Sequence, residues 1–357
     1  MTPTDEPVGV GSGAEADAVA PPAQPSGRAL GPQSSGRSLT ARLALLGAAA
    51  LFSTGGAAIK AVHFAGWPVA GVRSGIAALT LLALVPETRR RPTWHMLGVA
   101  ACYATTMILF VLANKLTTAA STIFLQATAP LFVLMLSPWL LGERIRRSEV
   151  LTIAAIGAGF ALLVTGLPQA SATAPQPLRG NLLAAMTGFT WALTILGLRS
   201  LGRGPAAAGE AGGGGGPDGG DRRRRGGGRG EDPGSGGGGA IVASFWGNVL
   251  ACAVALPWAL PLPASRASDW AILAFLGVFQ IALAYILLSR GIGRVPALEA
   301  SLLLMLEPVL SPLWAWLVHG ERAGARVLAG GALILAATLL NSWHDARLAA
   351  RGGAVSS

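Results

Sequence analysis

Glu307 stands in the middle of a long apolar run, immediately before Pro308. An ionisable group at membrane depth is costly, and it faces a cavity or a partner. Its chemistry there is that of a proton site or a site for a substrate cation. The structural alternative is a carboxylate paired with a nearby cation, or a protonated carboxyl hydrogen-bonded to a neighbouring helix. Arg73 is the second such residue. It either snorkels to the interface or acts as counter-ion for Glu307 or for an anionic substrate. Gln126, one turn before Pro130, is a candidate cavity donor. Gln280, Tyr285 and Asn248 are further polar candidates, and each could equally hydrogen-bond a neighbouring helix.

Other chemistries find no support. A phosphate-binding Walker loop needs Gly-Lys, and the two lysines follow Ile59 and Asn114. His63, His95, His319 and His344 form no HExxH and have no cysteine partners at zinc spacing, so no metal site is expected. Cys102 and Cys252 lie inside apolar runs, where a buried thiol rather than a disulfide is the default. No Gly-x-Ser-x-Gly elbow occurs. The chain reads as a non-enzyme without a cofactor.

The elements that must position these groups are membrane helices. Hydrophobic residues make up 52% and charged residues 12%, with a mean hydropathy of +0.54; a soluble domain carries about 25% charged residues. A run of about 20 apolar residues spans a bilayer, because a helix rises ~1.5 Å per residue across ~30 Å of hydrocarbon. Ten runs qualify: 41–62, 67–86, 95–113, 117–140, 148–166, 179–199, 241–260, 269–289, 295–318 and 326–343. The expected fold is an all-α polytopic membrane protein.

Two of these runs carry one signature. Pro130 with Gly142-Glu143-Arg144 recurs as Pro308 with Gly320-Glu321-Arg322, each number raised by 178. Ala119/Ala297 and Leu125/Leu303 share that offset. A second echo is an aromatic eight residues before a cation, Phe52 to Lys60 and Trp191 to Arg199. Ten helices then divide into two five-helix repeats, and an odd number inverts the second relative to the first. Pro130 and Pro308 lack an N–H and clash with the carbonyl four residues earlier, leaving Gln126 and Leu304 without their usual partners. Symmetry-related helix breaks near mid-depth point to a central site; the alternative is a kink that serves packing alone. Gly55-Gly56, Gly157-Ala158-Gly159 and Gly330-Gly331 read as close-packing faces.

Charge placement orients the helices. With the N-terminus inside, 20 of the 27 basic residues fall in inside segments, while the outside loop 167–178 has no charge. An excess of Lys and Arg belongs on the cytoplasmic side, so the net charge of +10 is topology rather than a nucleic-acid footprint. Both termini are expected to be cytoplasmic. Trp67, Trp94, Trp139, Trp258, Trp270 and Trp343 sit near helix ends as an aromatic belt. Trp191, Trp246, Trp314 and Trp316 do not all fit that belt, and pack between helices or line a cavity.

The remaining segments are low in complexity. Residues 1–39 read as a disordered tail, 344–357 as a C-terminal tail, and 200–240 as a Gly/Arg-rich loop inside the second repeat. The loop is a flexible cytoplasmic linker, with an RNA-binding or lipid-attracted patch as the bolder alternative. The repeats are expected at 41–166 and 179–343.

The chain resembles the drug/metabolite transporter superfamily, of the EamA type. The residues that carry the resemblance are Ala119 through Pro130 to Gly142-Glu143, and Ala297-Leu-Glu-Ala through Leu306-Glu307-Pro308-Val309 to Gly320-Glu321, with Arg73 and the pairs Phe52/Lys60 and Trp191/Arg199. It covers about 41–343; only the tails and the Gly-rich insertion fall outside it. The resemblance implies ten helices with both termini in the cytoplasm of a plasma-membrane protein. It also implies a central cavity open alternately to each side, and transport, often export, of a small metabolite or drug driven by an ion gradient or by exchange; protons are the coupling ion that a mid-membrane Glu307 suggests. A reading of another class is a non-transporting scaffold or receptor whose Arg-rich loop recruits a partner.

Overall fold

The computed structural model describes residues 32–142, 147–166, 169–202, 235–261, 265–292 and 294–353. Glu143, Arg144 and most of the 200–240 loop lie outside the described residues. Among the described residues nine helices are long and apolar enough to cross a membrane, and Glu149–Thr165 is a shorter apolar one. They fall on the ten expected runs, and the chain is an all-α polytopic membrane protein.

In chain order the helices are α1 Pro32–Ser53, α2 Gly55–Ala61, α3 Gly66–Leu84, α4 Trp94–Leu116, α5 Ala119–Gln126, α6 Ala129–Leu141, α7 Arg147–Thr165, α8 Pro177–Gly202, α9 Ser235–Ala259, α10 Ala267–Phe275, α11 Ala284–Ile292, α12 Ala297–Leu304, α13 Leu306–His319 and α14 Ala325–Gly353. Several spans are discontinuous. The first is α1 plus α2, the fourth α5 plus α6, and the ninth α12 plus α13. The eighth is α10 and α11 joined by a π-helical stretch, Leu276–Leu283.

Three helix ends lie beyond their expected positions. Helix α1 begins at Pro32, inside the segment expected to be disordered; α9 begins at Ser235, inside the expected loop; and α14 runs to Gly353, through most of the expected tail. Extending an existing helix fixes one residue per hydrogen bond, so even polar flanks propagate it once a span has nucleated it. On the α14 extension the Arg347 guanidinium lies 3.4 Å from the centre of the Trp343 ring.

The two breaks in the fourth and ninth spans correspond residue by residue. Adding 178 to the bounds of α5 gives those of α12. Both second pieces end at a left-handed glycine, Gly142 with φ 67° and Gly320 with φ 64°. Pro130 and Pro308 are not mid-helix kinks. Each stands in the first turn of the second piece, where a missing N–H costs nothing because those donors have no intrahelical partner. In the first break Thr128 Oγ donates to the Leu125 carbonyl at 2.6 Å.

Between spans, apolar surface supplies no driving force in lipid, so close backbone approach and interhelical hydrogen bonds decide association. Helices α7 and α14 meet where a Cβ on Gly159 would stand 2.8 Å from the Gly330 carbonyl oxygen, and one on Gly330 would stand 2.7 Å from that of Gly159. The main buried cluster, with Ile59, Phe64, Val111, Leu125, Leu163 and Leu276, joins both halves of the chain. Trp94, Trp139 and Trp258 are strongly exposed at span ends. Trp314 instead donates to Ser53 Oγ at 3.0 Å and packs between helices.

Candidate functional site

Both helix breaks open on one cavity of about 230 Å³. Gln126 is the last residue of α5 and Leu304 the last of α12, and both line it. Glu307, the second residue of α13, lines it beside them. Arg73 comes from α3, Met107 and Phe110 from α4, and Trp191 from α8. Phe52 at the end of α1, Gln280 and Ile281 on the π-helical stretch, and Tyr285 and Leu288 on α11 complete it. Of the seven sequence candidates, Glu307, Gln126, Arg73, Trp191, Gln280 and Tyr285 come together here.

Asn248 is not among the lining residues. It is fully buried on α9, and its amide donates to Tyr103 Oη at 3.3 Å and to the Ser244 carbonyl at 2.8 Å. Ser244 Oγ donates to the same hydroxyl at 3.2 Å. Tyr103, which sequence reasoning missed, is a hub behind the cavity wall. Its ring centre stands 5.6 Å from that of Tyr285 and 6.3 Å from that of Trp191, and Tyr285 meets Phe52 edge-on at 5.2 Å. A signal was present in composition: the chain has only two tyrosines, and they are neighbours here.

Arg73 does not snorkel. It is 1% exposed, and its guanidinium donates to the Met107 carbonyl at 3.1 Å. Its Nε has no partner, and it has no carboxylate within salt-bridge distance among the described residues. Its long side chain remains inside because α4, α9 and the π-helical stretch Leu276–Leu283 pack against α3. Glu307 likewise makes no ion pair among the described residues, so it is not the counter-ion of Arg73. The amide oxygens of Gln126 and Gln280 are buried without partners. A small space thus holds one cation, one carboxyl group and two unspent acceptors against aromatic walls. Unsatisfied buried polar groups are rare in native proteins, and three of them, on Arg73, Gln126 and Gln280, line this one cavity. The π-helical stretch that carries Gln280 is a feature common at functional sites. No group of three or more His, Cys, Asp or Glu able to hold a metal occurs among the described residues.

The two ends of the bundle differ. At the Gly142 end a wider space of about 930 Å³ reaches from Asp345, Asn341 and Arg199 inward to Pro130 and Ser301, beside the breaks. At the Gly320 end Lys60 and Glu321 are buried and paired, Nζ to Oε2 at 3.3 Å. Lys60 also donates to the carbonyls of Thr117 at 2.7 Å and Thr173 at 2.5 Å. Glu321 Oε1 accepts from the amide of Ala119 at 2.6 Å. At the same end Asp269 accepts from the His63 amide at 3.0 Å and lies 2.9 Å from its ring Nδ1, while Arg266 Nη1 lies 3.0 Å from His63 Nε2. Sequence reading marked the Glu321 corner only as a repeat signature, and its partner lies in the other half of the chain.

A ten-helix bundle with two matched helix breaks around a central polar cavity is the build of a membrane transporter. The EamA-like transporter family matches residues 39–165 and again residues 236–343, so the chain belongs to that family. It is 25% identical over 267 residues to an uncharacterized transporter of Archaeoglobus fulgidus, covering 74% of this chain and 83% of that one. It is also similar to a solved crystal structure with a TM-score of 0.51 and 19% identity, over 88% of this chain and 99% of that one. This last likeness concerns the fold.

Proposed function

We propose that this multi-pass membrane protein is a secondary exporter of a small metabolite or drug, working by alternating access across the cytoplasmic membrane. Its two inverted repeats are 41–166 and 179–343, with both termini and the 200–240 linker in the cytoplasm. The observation that carries the reading is the central cavity, where Arg73 and Glu307 are unpaired with each other and two glutamine oxygens are unspent. Groups left unsatisfied at membrane depth are explained by a ligand that satisfies them. A cavity of about 230 Å³ suits a small molecule rather than a large one.

Substrate enters from the wide space at the Gly142 end, which positive-inside charge places in the cytoplasm. It displaces cavity water and is released when the opposite end opens. Glu307 is the group we assign to carry a proton in exchange. No catalytic step is required of any residue. The test is uptake into inverted vesicles from cells that overproduce the protein, with amino acids, nucleosides and cationic drugs compared. Saturable uptake of one class, lost on Arg73→Met, supports the reading. A folded protein that moves none of them, while its Arg-rich loop retains a partner, is a scaffold instead.

A further inference from the structure

Lys60 ends the first span, and its ammonium has three oxygen neighbours from three other segments: the Thr117 carbonyl between α4 and α5, the Thr173 carbonyl between α7 and α8, and the Glu321 carboxylate between α13 and α14. Both charged side chains are only 4% exposed. The second carboxylate oxygen of Glu321 takes the amide of Ala119, the first residue of α5. It thereby satisfies one of the orphan donors of that helix and sits at its positive end. One small cluster so ties segments from both halves across one end of the bundle.

The matching position in the second half behaves differently. Arg199 follows Trp191 as Lys60 follows Phe52, yet it is exposed, lines the space of about 930 Å³, and has no ion pair among the described residues. At the Gly320 end the pair is thus buried, whereas at the Gly142 end a wide space lies beside Arg199 and the pair found there among the described residues, Arg42 with Glu299, is partly exposed. Energetically such a buried pair is suited to repeated use. The attraction within a buried ion pair is largely offset by the cost of removing both charges from water. Opening the end returns that hydration, so closed and open states lie close in free energy.

We propose that Lys60, Glu321 and the Ala119 amide form the latch that closes the central cavity toward the Gly320 end, and that it breaks in every transport cycle. The proposal rests on the transporter reading, but its test needs no substrate. In a chain with Cys102→Ala and Cys252→Ala, Leu288→Cys places a thiol on the cavity wall. A membrane-impermeant maleimide is applied from the Gly320 side of oriented vesicles, and the labelling rate is read. Glu321→Gln and Lys60→Met are expected to raise that rate about ten-fold, a shift of about 1.4 kcal/mol toward the open state. Labelling from the opposite side should not rise.

A folded variant that labels at the parental rate overturns the latch. Should both variants fail to fold, the intact chain decides. It has only two lysines, Lys60 and Lys115, so acylation with an impermeant reagent on a Lys115→Arg background reports Lys60. Molecules acylated at Lys60 should carry the maleimide in excess over unacylated ones; equal labelling overturns the proposal. Flux measured separately distinguishes the two readings: a working latch without flux defeats the transporter, and flux with unchanged accessibility defeats the latch.

Discussion

Gly142 and Gly320 hold one backbone conformation at one place in two halves of the chain, φ 67° and 64° with ψ 16° at both. Each closes the second piece of a broken span, and no neighbouring atom lies within 4 Å of a Cβ built on either. The need for glycine is therefore one of dihedral angle and not of space. An L-residue in the left-handed region costs about 1–2 kcal/mol. Gly320→Ala is expected to lower the thermal midpoint of the purified protein by that amount of stability. Gly320→Asn should cost less, because asparagine visits this region more readily. Equal midpoints for Gly320→Ala and the parent would show that the corner is not left-handed.

Much of this corner was legible. The repeat offset came from identities alone, and it foretold that α5 and α12 would break in register. Other features were not legible, for specific reasons. Hydropathy gives the depth of Arg73 but not the direction it faces, so snorkelling and burial read alike until α4, α9 and the π-helical stretch pack against α3. The partner of Glu321 lies in the first span, and no local spacing relates the two. Tyr103 is apolar in pattern and becomes a hub only through Ser244 and Asn248. The π-helical stretch under Gln280 has no proline or glycine pair to announce it. Helix ends ran past their expected positions because composition marks where apolar residues stop, not where backbone hydrogen bonds stop.

Topology is tested by single cysteines at Ser171 and Ser235. From the 20 basic residues in the segments assigned inside, Ser235 is expected in the cytoplasm and Ser171 outside. An impermeant thiol reagent on intact cells should label Ser171→Cys alone. Labelling of Ser235→Cys from outside would reverse the orientation, and with it the direction of export.

Deleting 205–233 should leave insertion, folding and transport intact, because α8 and α9 need only a connection there and a Gly-rich linker adds little stability. The deletion stops short of Ser235, where α9 begins. Loss of folded protein would make the segment structural. Retained folding with lost flux would give it a regulatory role.

Arg73 is expected to separate stability from function. It has no carboxylate partner among the described residues, so Arg73→Met leaves no opposite charge stranded and removes a buried cation that is itself costly. The thermal midpoint is expected to hold or rise while flux falls by ten-fold or more. Glu321→Ala is the contrast, since it strands the buried Lys60 ammonium; breaking such a pair costs about 3–5 kcal/mol. A midpoint that drops as far for Arg73→Met as for Glu321→Ala would make Arg73 a structural residue.

In the proposed exporter Glu307 is the group assigned to coupling. It lines the cavity one residue before Pro308 and makes no ion pair among the described residues. A carboxyl group so placed can bind a proton in one state of the cavity and yield its place to substrate or water in the other, because solvation and nearby charge differ between states. Glu307→Gln keeps the shape and the hydrogen-bonding capacity and removes the titration. In vesicles with an imposed pH gradient the variant should fold, bind and exchange substrate across the membrane, yet fail to accumulate it. A purely structural carboxyl would give the opposite pattern, with lower yield or midpoint and surviving protein still driven by the gradient. Undiminished accumulation by a stable Glu307→Gln protein would remove Glu307 from the coupling step and leave exchange, which needs no proton, as the mode of transport.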